Sequence, residues 1–198
     1  PFFTPTLTPY DKFECRMGLG YNKWLVRMNG LEFEIKMFVP AGASQVVTDV
    51  KVRNLSAPKN AQVDVIPLVE FSHPDALKNL TNADWVPQTM KGKAVGNVIT
   101  QYPHMAEGRR ANFLTANRPM DSFTTDRNKF LGNHGYGTHA EPGGLAEDHL
   151  DNYQALRADN GNSIAAILYR LGSIAQGQES RIIIELGQRS EEHTSALQ

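Results

Sequence analysis

Residues 31–39, LEFEIKMFV, show the pattern that decides the fold. Every second residue is apolar, and charged residues stand between several of them; the apolar set is Leu31, Phe33, Ile35, Met37 and Val39. A two-residue period of this kind is typical of a β-strand with one buried face. Residues 46–54, VVTDVKVRN, alternate in the same way. This part of the chain is therefore predicted to be β-structure.

A turn is predicted between this region and the next alternating stretch. Residues 54–60, NLSAPKN, contain the Asn, Ser and Pro that favour turns. Residues 61–71, AQVDVIPLVEF, resume the two-residue period, so 46–54 and 61–71 are predicted to form a hairpin. Pro67 has no N–H to donate, which places the second strand at a sheet edge or introduces a bulge there.

The remaining clear patterns also favour strands, at residues 97–102, 111–116, 163–171 and 181–186. Helix is scarce: short turns are predicted at 73–80 and at 125–132, the latter capped by Thr125 or Asp126 and ended by Gly132. Residues 117–152 show no strand period and are rich in glycine, which is typical of a long loop. The predicted fold class is all-β, a large and mainly antiparallel β-sandwich with one long Gly-rich loop.

Length and charge exclude several classes of protein. The chain has 198 residues, of which 40% are apolar, and a net charge of −1. The length is enough for one large domain. The net charge gives no excess of positive charge of the kind that binds nucleic acid. No apolar run approaches the roughly 20 residues of a membrane span. The sequence therefore predicts neither a nucleic-acid nor a membrane partner.

The single cysteine, Cys15, excludes an internal disulfide and is typical of a reducing compartment, so a cytoplasmic location is expected. The first residues, PFFTPTLTPY, lack the pattern of a secretory signal. They also lack an initiator Met, from which we expect an incomplete N-terminus.

The stretch FECRMGLGY, residues 13–21, has two interpretations. Arg16 beside Cys15 suits a reactive thiolate, but a lone cysteine is more often a small buried apolar residue. Gly18 and Gly20 form a Gly-x-Gly pair, which is found in nucleotide-binding loops. Without a surrounding βαβ unit the pair indicates backbone geometry instead.

The long loop carries two sets of candidate residues. The first offers ligand types for a metal, although its spacing matches no zinc or calcium pattern and favours a solvated loop; it comprises His134, His139, Glu141, Asp148 and His149. The second is Arg127 with Lys129, which either bind a phosphate or carboxylate or are surface charges. Neighbouring glycines favour close approach of a ligand to the backbone.

Four stretches in order carry a resemblance to a known family: residues 4–24, 33–56, 123–132 and 171–188. They contain ECRMGLGY, FEIKMFVPAGASQ, FTTDRNKFLG and RIIIELGQ. The chain from residue 1 to about 188 resembles the N-terminal β-sandwich of the glycoside hydrolase family 94 phosphorylases, formerly glycosyltransferase family 36. Cellobiose, chitobiose and laminaribiose phosphorylases are members. The family usually has His at the position of Met17, so the resemblance implies no polar role there.

The resemblance implies a fold similar to the galactose mutarotase-like superfamily and a larger, homodimeric enzyme. In the family, a helical linker and an (α/α)6 barrel follow the sandwich. An Asp of the barrel protonates the glycosidic oxygen while inorganic phosphate attacks the anomeric carbon with inversion. Because phosphate is already an anionic nucleophile, no second carboxylate is needed as a base. The implied co-substrate is inorganic phosphate, with no cofactor and no metal.

The resemblance also assigns roles to residues of this chain. The loop around residues 125–137 reaches the active site of the partner subunit in the family, so the candidates for contact with substrate or phosphate are Arg127, Lys129, Gly132, Asn133 and Gly135. The other family motif is expected to be structural or to lie in an interface; it comprises Glu14, Cys15, Arg16, Gly18, Gly20 and Tyr21. The barrel acid lies outside these residues, so residues 1–198 alone are expected to be inactive.

Residues 189–198, RSEEHTSALQ, resemble a translated sequencing adapter. They are predicted to be a non-native tail, with residues 1–188 as the domain and the catalytic barrel missing. Two other functions stay open. One is a stand-alone sugar-binding or scaffold β-sandwich, and the other is the related domain of a cyclic β-1,2-glucan synthase.

Overall fold

The computed structural model describes residues 10–56, 60–71, 90–103, 111–132, 139, 141–156 and 163–189. The described strands are β1 Lys12–Gly18, β2 Tyr21–Met28, β3 Leu31–Phe38, β4 Gln45–Asn54, β5 Asn60–Val65, β6 Leu68–Glu70, β7 Met90–Val95, β8 Val98–Pro103, β9 Ala111–Ala116, β10 Ser122–Asp126, β11 Ser163–Ala175 and β12 Glu179–Arg189. One α-helix, α1, spans Arg127–Leu131, and a 3-10 helix spans Gly143–Leu145. The turn predicted at 73–80 lies outside the described residues.

Eight strands form a large sheet in the order β1-β2-β3-β4-β12-β9-β8-β7. Neighbouring strands in this sheet pair antiparallel, and three of the connections are two-residue hairpin loops. Asn29 and Gly30, in the loop between β2 and β3, have φ angles of 54° and 73°. Positive φ at both positions matches the hairpin turn that an Asn-Gly pair favours.

The small sheet has the order β10-β11-β5, and β6 also pairs with β11. β5 ends at Val65 and β6 begins at Leu68, so the two strands lie along one side of β11 with Pro67 between them. The carbonyl of Pro67 still accepts a hydrogen bond from the Ile167 N–H at 3.3 Å. The interruption predicted at Pro67 is confirmed.

The predicted hairpin of residues 46–54 with 61–71 is wrong. β4 lies between β3 and β12 in the large sheet, so both of its edges are already paired, while β5 pairs with β11 in the small sheet. The crossing point is Asn54, whose side-chain amide donates to the Ile174 carbonyl at 2.9 Å. Its own carbonyl accepts from the Gly177 N–H at 2.7 Å. The chain therefore changes sheets where a hairpin was expected.

The main hydrophobic core lies between the two sheets, as the alternation in β3 predicts. Ile35 is buried, and Leu31 and Phe33 pack against the same cluster. Val39, in contrast, follows the end of β3 and is 58% exposed. The all-β sandwich predicted from the sequence is confirmed.

β11 is buried on both faces, which explains the nearly continuous apolar run SIAAILY. Its odd-numbered residues, such as Ile167 and Tyr169, belong to the core between the sheets. Its even-numbered residues, such as Ile164 and Leu168, belong to a second cluster with Phe130 and Leu131 of α1. The α1 segment therefore forms a third layer on the far side of the small sheet.

The segment 117–152 was expected to lack strands, but β10 lies within it. β10 is only five residues long, and hydroxyl side chains replace the apolar alternation. Buried Ser122 accepts a hydrogen bond from the Leu150 N–H at 3.0 Å, and Thr125 accepts one from the Ala155 N–H at 2.7 Å. The strand is thus defined by partners distant in sequence, which a local period does not show.

The outer face of the large sheet is charged. Ion pairs cross it between neighbouring strands, and we call this surface the charged face. Examples are Lys23–Glu34 at 2.7 Å, Arg27–Glu32 at 2.7 Å and Arg181–Asp49 at 2.7 Å. The hydrogen bond from Lys23 is the main reason that the pKa of Glu34 is lowered. Within the described residues, no helix has the length and hydropathy needed to cross a bilayer.

Candidate functional site

The predicted capped turn is present as α1, at the corner after β10. The Asp126 carboxylate accepts hydrogen bonds from the N–H groups of Asn128 at 2.8 Å and Lys129 at 3.1 Å. Gly132 ends the helix with φ 66° and ψ −165°, a conformation that favours glycine. We call residues 126–132 the α1 corner. The prediction that Asp126 or Thr125 caps the turn and Gly132 ends it is confirmed, with Asp126 as the cap.

Two buried side chains anchor the α1 corner. Phe130 and Leu131 are 2% and 1% exposed and pack on the even-numbered face of β11. Gly144 lies against Phe130, since a Cβ atom there would be 2.6 Å from the ring. With its apolar side fixed in this way, the corner directs Arg127 and Lys129 towards the surface.

Arg127 is held by β6. Its Nε donates to the Glu70 carboxylate at 2.6 Å, and the side chain is 26% exposed. The same Glu70 oxygen lies 3.0 Å from His139 Nε2. The guanidinium has five N–H donors, and this bond uses one of them while fixing the plane of the group.

Lys129 is held on the opposite side of the helix turn. Its Nζ lies 3.0 Å from Asp151 Oδ2 and 4.8 Å from the centroid of the Tyr153 ring. The hydrogen bond that Lys129 donates to Asp151 raises the pKa of Lys129. For Asp151, burial raises the pKa, but hydrogen bonds from Lys129, Thr124 and the Tyr153 backbone outweigh burial, so the net pKa is lowered.

The two basic residues therefore lie on one short turn, but each is paired with an acid of the same chain. Glu70 and Asp151 were not identified from the sequence. Glu70 is 57 residues away from Arg127, and no spacing rule links them. The other predicted loop candidates, Asn133 and Gly135, lie outside the described residues.

Two of the candidate metal ligands have other partners in the structure. His139 contacts Glu70, and Asp148 contacts Arg170 through its carbonyl and, at 3.3 Å, its carboxylate. In the described ranges, no group of three or more His, Cys, Asp or Glu side chains is placed to hold a metal ion. His134 lies outside these ranges.

The second predicted motif forms the β1–β2 hairpin. Gly20 has φ 80°, so it serves backbone geometry as predicted. A Cβ at Gly18 would lie 2.2 Å from the Tyr21 ring, so Gly18 makes room for that side chain. Cys15 is exposed, contrary to the expectation that a lone cysteine is buried, because β1 is the end strand of the sheet. Glu14 pairs with Arg16 and Lys12, and these two contacts lower its pKa.

The structure does not bring the two motifs into one site. Glu14, Cys15 and Arg16 lie on an end strand of the large sheet, whereas Arg127 and Lys129 follow the end strand of the small sheet. The candidate site is therefore the α1 corner with Glu70, His139, Asp151 and Tyr153.

Comparison with solved structures gives matches at low identity. A polysaccharide lyase is 13% identical with a TM-score of 0.47, covering 85% of this chain and 21% of its own. A putative aldose 1-epimerase from Escherichia coli K12 is 7% identical with a TM-score of 0.47, covering 90% and 69%. A heparinase III gene product is 7% identical with a TM-score of 0.41, covering 92% and 22%. This chain thus spans about a fifth of the length of the lyase and of the heparinase.

Comparison with curated proteins gave no match. Comparison with protein families matched residues 1–198 to the glycosyl hydrolase 94 supersandwich domain. The match covers all four stretches on which the resemblance was based, and it agrees with the two-sheet fold. The chain belongs to this family.

Proposed function

We propose that this domain is the non-catalytic sandwich of an inverting phosphorylase, which transfers a glycosyl group from a β-linked disaccharide or oligosaccharide to inorganic phosphate. The observation that supports the proposal is the family match over residues 1–198, together with the resemblance of both motifs to those of the phosphorylases. The chemical step belongs to the barrel that follows the sandwich in this family.

Three carboxyl groups of the described residues lack the electrostatics of a general acid. A general acid for glycosidic cleavage needs a raised pKa so that it keeps its proton near neutral pH. The carboxyl groups of Glu14, Glu34 and Asp151 have lowered pKa values instead. Each of them pairs with a lysine or an arginine, which stabilises the ionised form.

We further propose that the α1 corner acts on the catalytic site of the partner subunit. Arg127 is the contact residue, because its planar guanidinium group can donate two parallel hydrogen bonds to an oxyanion of phosphate or substrate. Glu70 orients the guanidinium plane through Nε, and the donors that this bond does not use are the ones proposed to contact the ligand. Lys129, bound to Asp151 and packed over Tyr153, fixes the corner rather than meeting the ligand.

The activity is tested on the parent enzyme and on residues 1–198 separately. Each is incubated with inorganic phosphate and cellobiose, laminaribiose or chitobiose, and sugar 1-phosphate is measured. We expect the parent to release the inverted sugar 1-phosphate and residues 1–198 to release none. Release by residues 1–198 would contradict the non-catalytic role. A parent that makes a cyclic glucan, or that binds sugar without cleaving it, would replace the proposal with one of the two alternative functions.

The action in trans is tested with mixed dimers of the parent. One subunit carries Arg127→Ala, the other lacks the barrel acid, and each homodimer is expected to be inactive. If the α1 corner acts across the dimer, mixed dimers regain activity, because one site combines an intact acid with an intact Arg127 from its partner. Arg181→Ala, on the charged face, is the control and should leave activity unchanged. An active Arg127→Ala homodimer, or mixing that restores nothing, would refute the assignment.

A further inference from the structure

The outer edge of β1 differs from the other edge of the large sheet. At that other edge, β7 is covered: the Gly92 N–H donates to the Ala155 carbonyl at 2.9 Å, and the Ala94 N–H donates to the Gln154 side chain at 3.1 Å. β1 pairs with β2 on one side, and none of the described strands pairs with its other side. One edge of the large sheet is therefore open within the described part of the chain.

The hairpin geometry tells which backbone groups face the open edge. In a two-residue hairpin, the pair next to the loop exchanges hydrogen bonds, and such pairs alternate along the strands. β7 follows this rule, since its loop-closing pair is Val95–Val98 and the outward groups belong to Gly92 and Ala94. In β1 the loop-closing pair is Gly18–Tyr21. The N–H and C=O groups of Phe13, Cys15 and Met17 therefore point to the open edge.

The two faces of β1 differ in chemistry. Lys12, Glu14 and Arg16 lie on the charged face, with alternating sign along the strand. Phe13, Cys15 and Met17 lie on the face that continues the core side of the sheet, opposite Val26, Trp24 and Asn22 of β2. Phe13 is 47% exposed and Met17 is 81% exposed. An open strand edge with one apolar row and one row of alternating charge can pair with another strand of matching pattern.

The matching pattern is present in β1 itself. In an antiparallel pair of two β1 strands, outward backbone groups meet only if odd-numbered residues face odd-numbered ones. Centring the pair on Glu14 or on Arg16 sets a like charge against itself. Centring it on Phe13 sets Lys12 opposite the partner's Glu14, but it leaves Arg16 beyond the start of the partner's β1. Centring it on Cys15 sets Glu14 opposite the partner's Arg16, and Arg16 opposite the partner's Glu14. The same register sets Phe13 opposite the partner's Met17.

We infer that two copies of this chain pair edge to edge through β1, antiparallel and centred on Cys15. The two large sheets then join into one continuous sheet across the two-fold axis. The pairing satisfies the outward backbone groups of Phe13, Cys15 and Met17, covers the exposed apolar row, and aligns two opposite-charge pairs on the charged face.

The single cysteine reports on this register directly. Directly opposite residues of a hydrogen-bonded antiparallel pair have Cα atoms about 5.5 Å apart. We therefore expect residues 1–198 to be joined efficiently through Cys15 by a bis-maleimide with an ethylene spacer, and to sediment as a dimer without it. The variant Cys15→Ser/Met17→Cys keeps a thiol on the same face, but in this register it separates the two thiols by about 14 Å along the strands. Its crosslinking yield should fall about tenfold.

Charge reversal tests the register independently. Glu14→Arg and Arg16→Glu each create two like-charge pairs, and each should weaken dimerisation about tenfold. Mixing these two variants restores both opposite-charge pairs, so crosslinked heterodimers should form about as well as the wild-type dimer. Glu179→Arg, on the charged face but on β12, is the control and should dimerise normally.

Three results would overturn the inference. The first is a wild-type chain that stays monomeric and is not crosslinked at Cys15. The second is equal crosslinking of Cys15→Ser/Met17→Cys, which would indicate another register or random collision. The third is unchanged dimerisation of both charge-reversal variants. Circular dichroism of each variant, identical to that of the wild type, excludes misfolding as the cause.

Discussion

The α1 corner and the β1–β2 hairpin both carry family motifs with glycines and charged side chains, yet they are held in place by different means. The corner has a side-chain cap and two nearly fully buried residues that contact β11. β1 has one neighbouring strand, and six of its seven residues are exposed. The α1 corner is therefore fixed by burial and tertiary contacts. The hairpin is fixed by the backbone hydrogen bonds between its own two strands.

This difference indicates in which region substitutions should lower the free energy of unfolding most. Burial of a large apolar side chain contributes several kilocalories per mole, whereas an exposed side chain on an end strand contributes little. The effect of each substitution is measured as the change in the free energy of unfolding of residues 1–198 in urea.

The largest effect is expected from Phe130→Ala. Phe130 is 2% exposed and packs against β11 and Gly144, so its removal leaves a cavity and should cost about 3–5 kcal/mol. The matched variant Phe13→Ala, at a residue that is 47% exposed, should cost less than about 1 kcal/mol in the monomer. Equal losses for the two variants would show that burial does not distinguish the corner from the hairpin.

Much of the corner could be predicted from sequence because its signals are local. Asp126, Gly132 and the residues between them specify a capped turn within one short stretch. The alternation in β3 and the break at Pro67 are local in the same sense. These features need no knowledge of distant contacts, and the structure confirms them.

The features that were missed depend on residues far apart in the chain. β4 and β5 join different sheets because β12 and β11 occupy the neighbouring positions. The ion pairs of Arg127 with Glu70 and of Lys129 with Asp151 join separate segments. One local signal was overlooked: the Asn29-Gly30 pair, which marks the β2–β3 hairpin.

The next effect compares two glycines with positive φ. Gly132 has φ 66° and ψ −165°, a combination nearly restricted to glycine, so Gly132→Ala should cost about 1–3 kcal/mol. Gly20 has φ 80° and open space around its Cα, so Gly20→Ala should cost about 1 kcal/mol at a hairpin tip. A larger loss for Gly20→Ala would reverse the order of the two regions.

A smaller effect is expected from the helix cap. Asp126→Ala removes the oxygen that accepts from the N–H groups of Asn128 and Lys129, and should cost about 1 kcal/mol. Asp126→Asn keeps a side-chain oxygen at the same position, so most of the stability should be retained. If both variants lose the same amount, the charge of Asp126 and not its hydrogen bonds supports the corner.

The smallest effect is the pH dependence of the Lys129–Asp151 pair, which is largely accessible to solvent. The pKa of Asp151 is lowered in the folded chain, because hydrogen bonds from Lys129, Thr124 and the Tyr153 backbone outweigh the effect of burial. The unfolded chain thus binds more protons than the folded chain near the ordinary aspartate pKa of about 3.9. The stabilisation from Asp151 is present above that pH and is lost as the pH falls through the lower pKa that Asp151 has in the folded chain. The pKa of Lys129 is raised in the folded chain. The stabilisation that Lys129 contributes is therefore present below its ordinary pKa and is lost as the pH rises through its folded-state pKa.

Asp151→Asn should therefore reduce the free energy of unfolding at pH 7, and the difference from the wild type should shrink as the pH falls through the acid range. The difference should also shrink in high salt, because the two side chains are 46% and 40% exposed and their charges are screened. Asp148→Asn is the control: its carboxylate is 94% exposed, and its replacement should change the free energy of unfolding little. A difference between wild type and Asp151→Asn that stays constant from pH 7 to pH 2 would mean that Asp151 supports the corner through packing or neutral hydrogen bonds, and that its charge does not contribute.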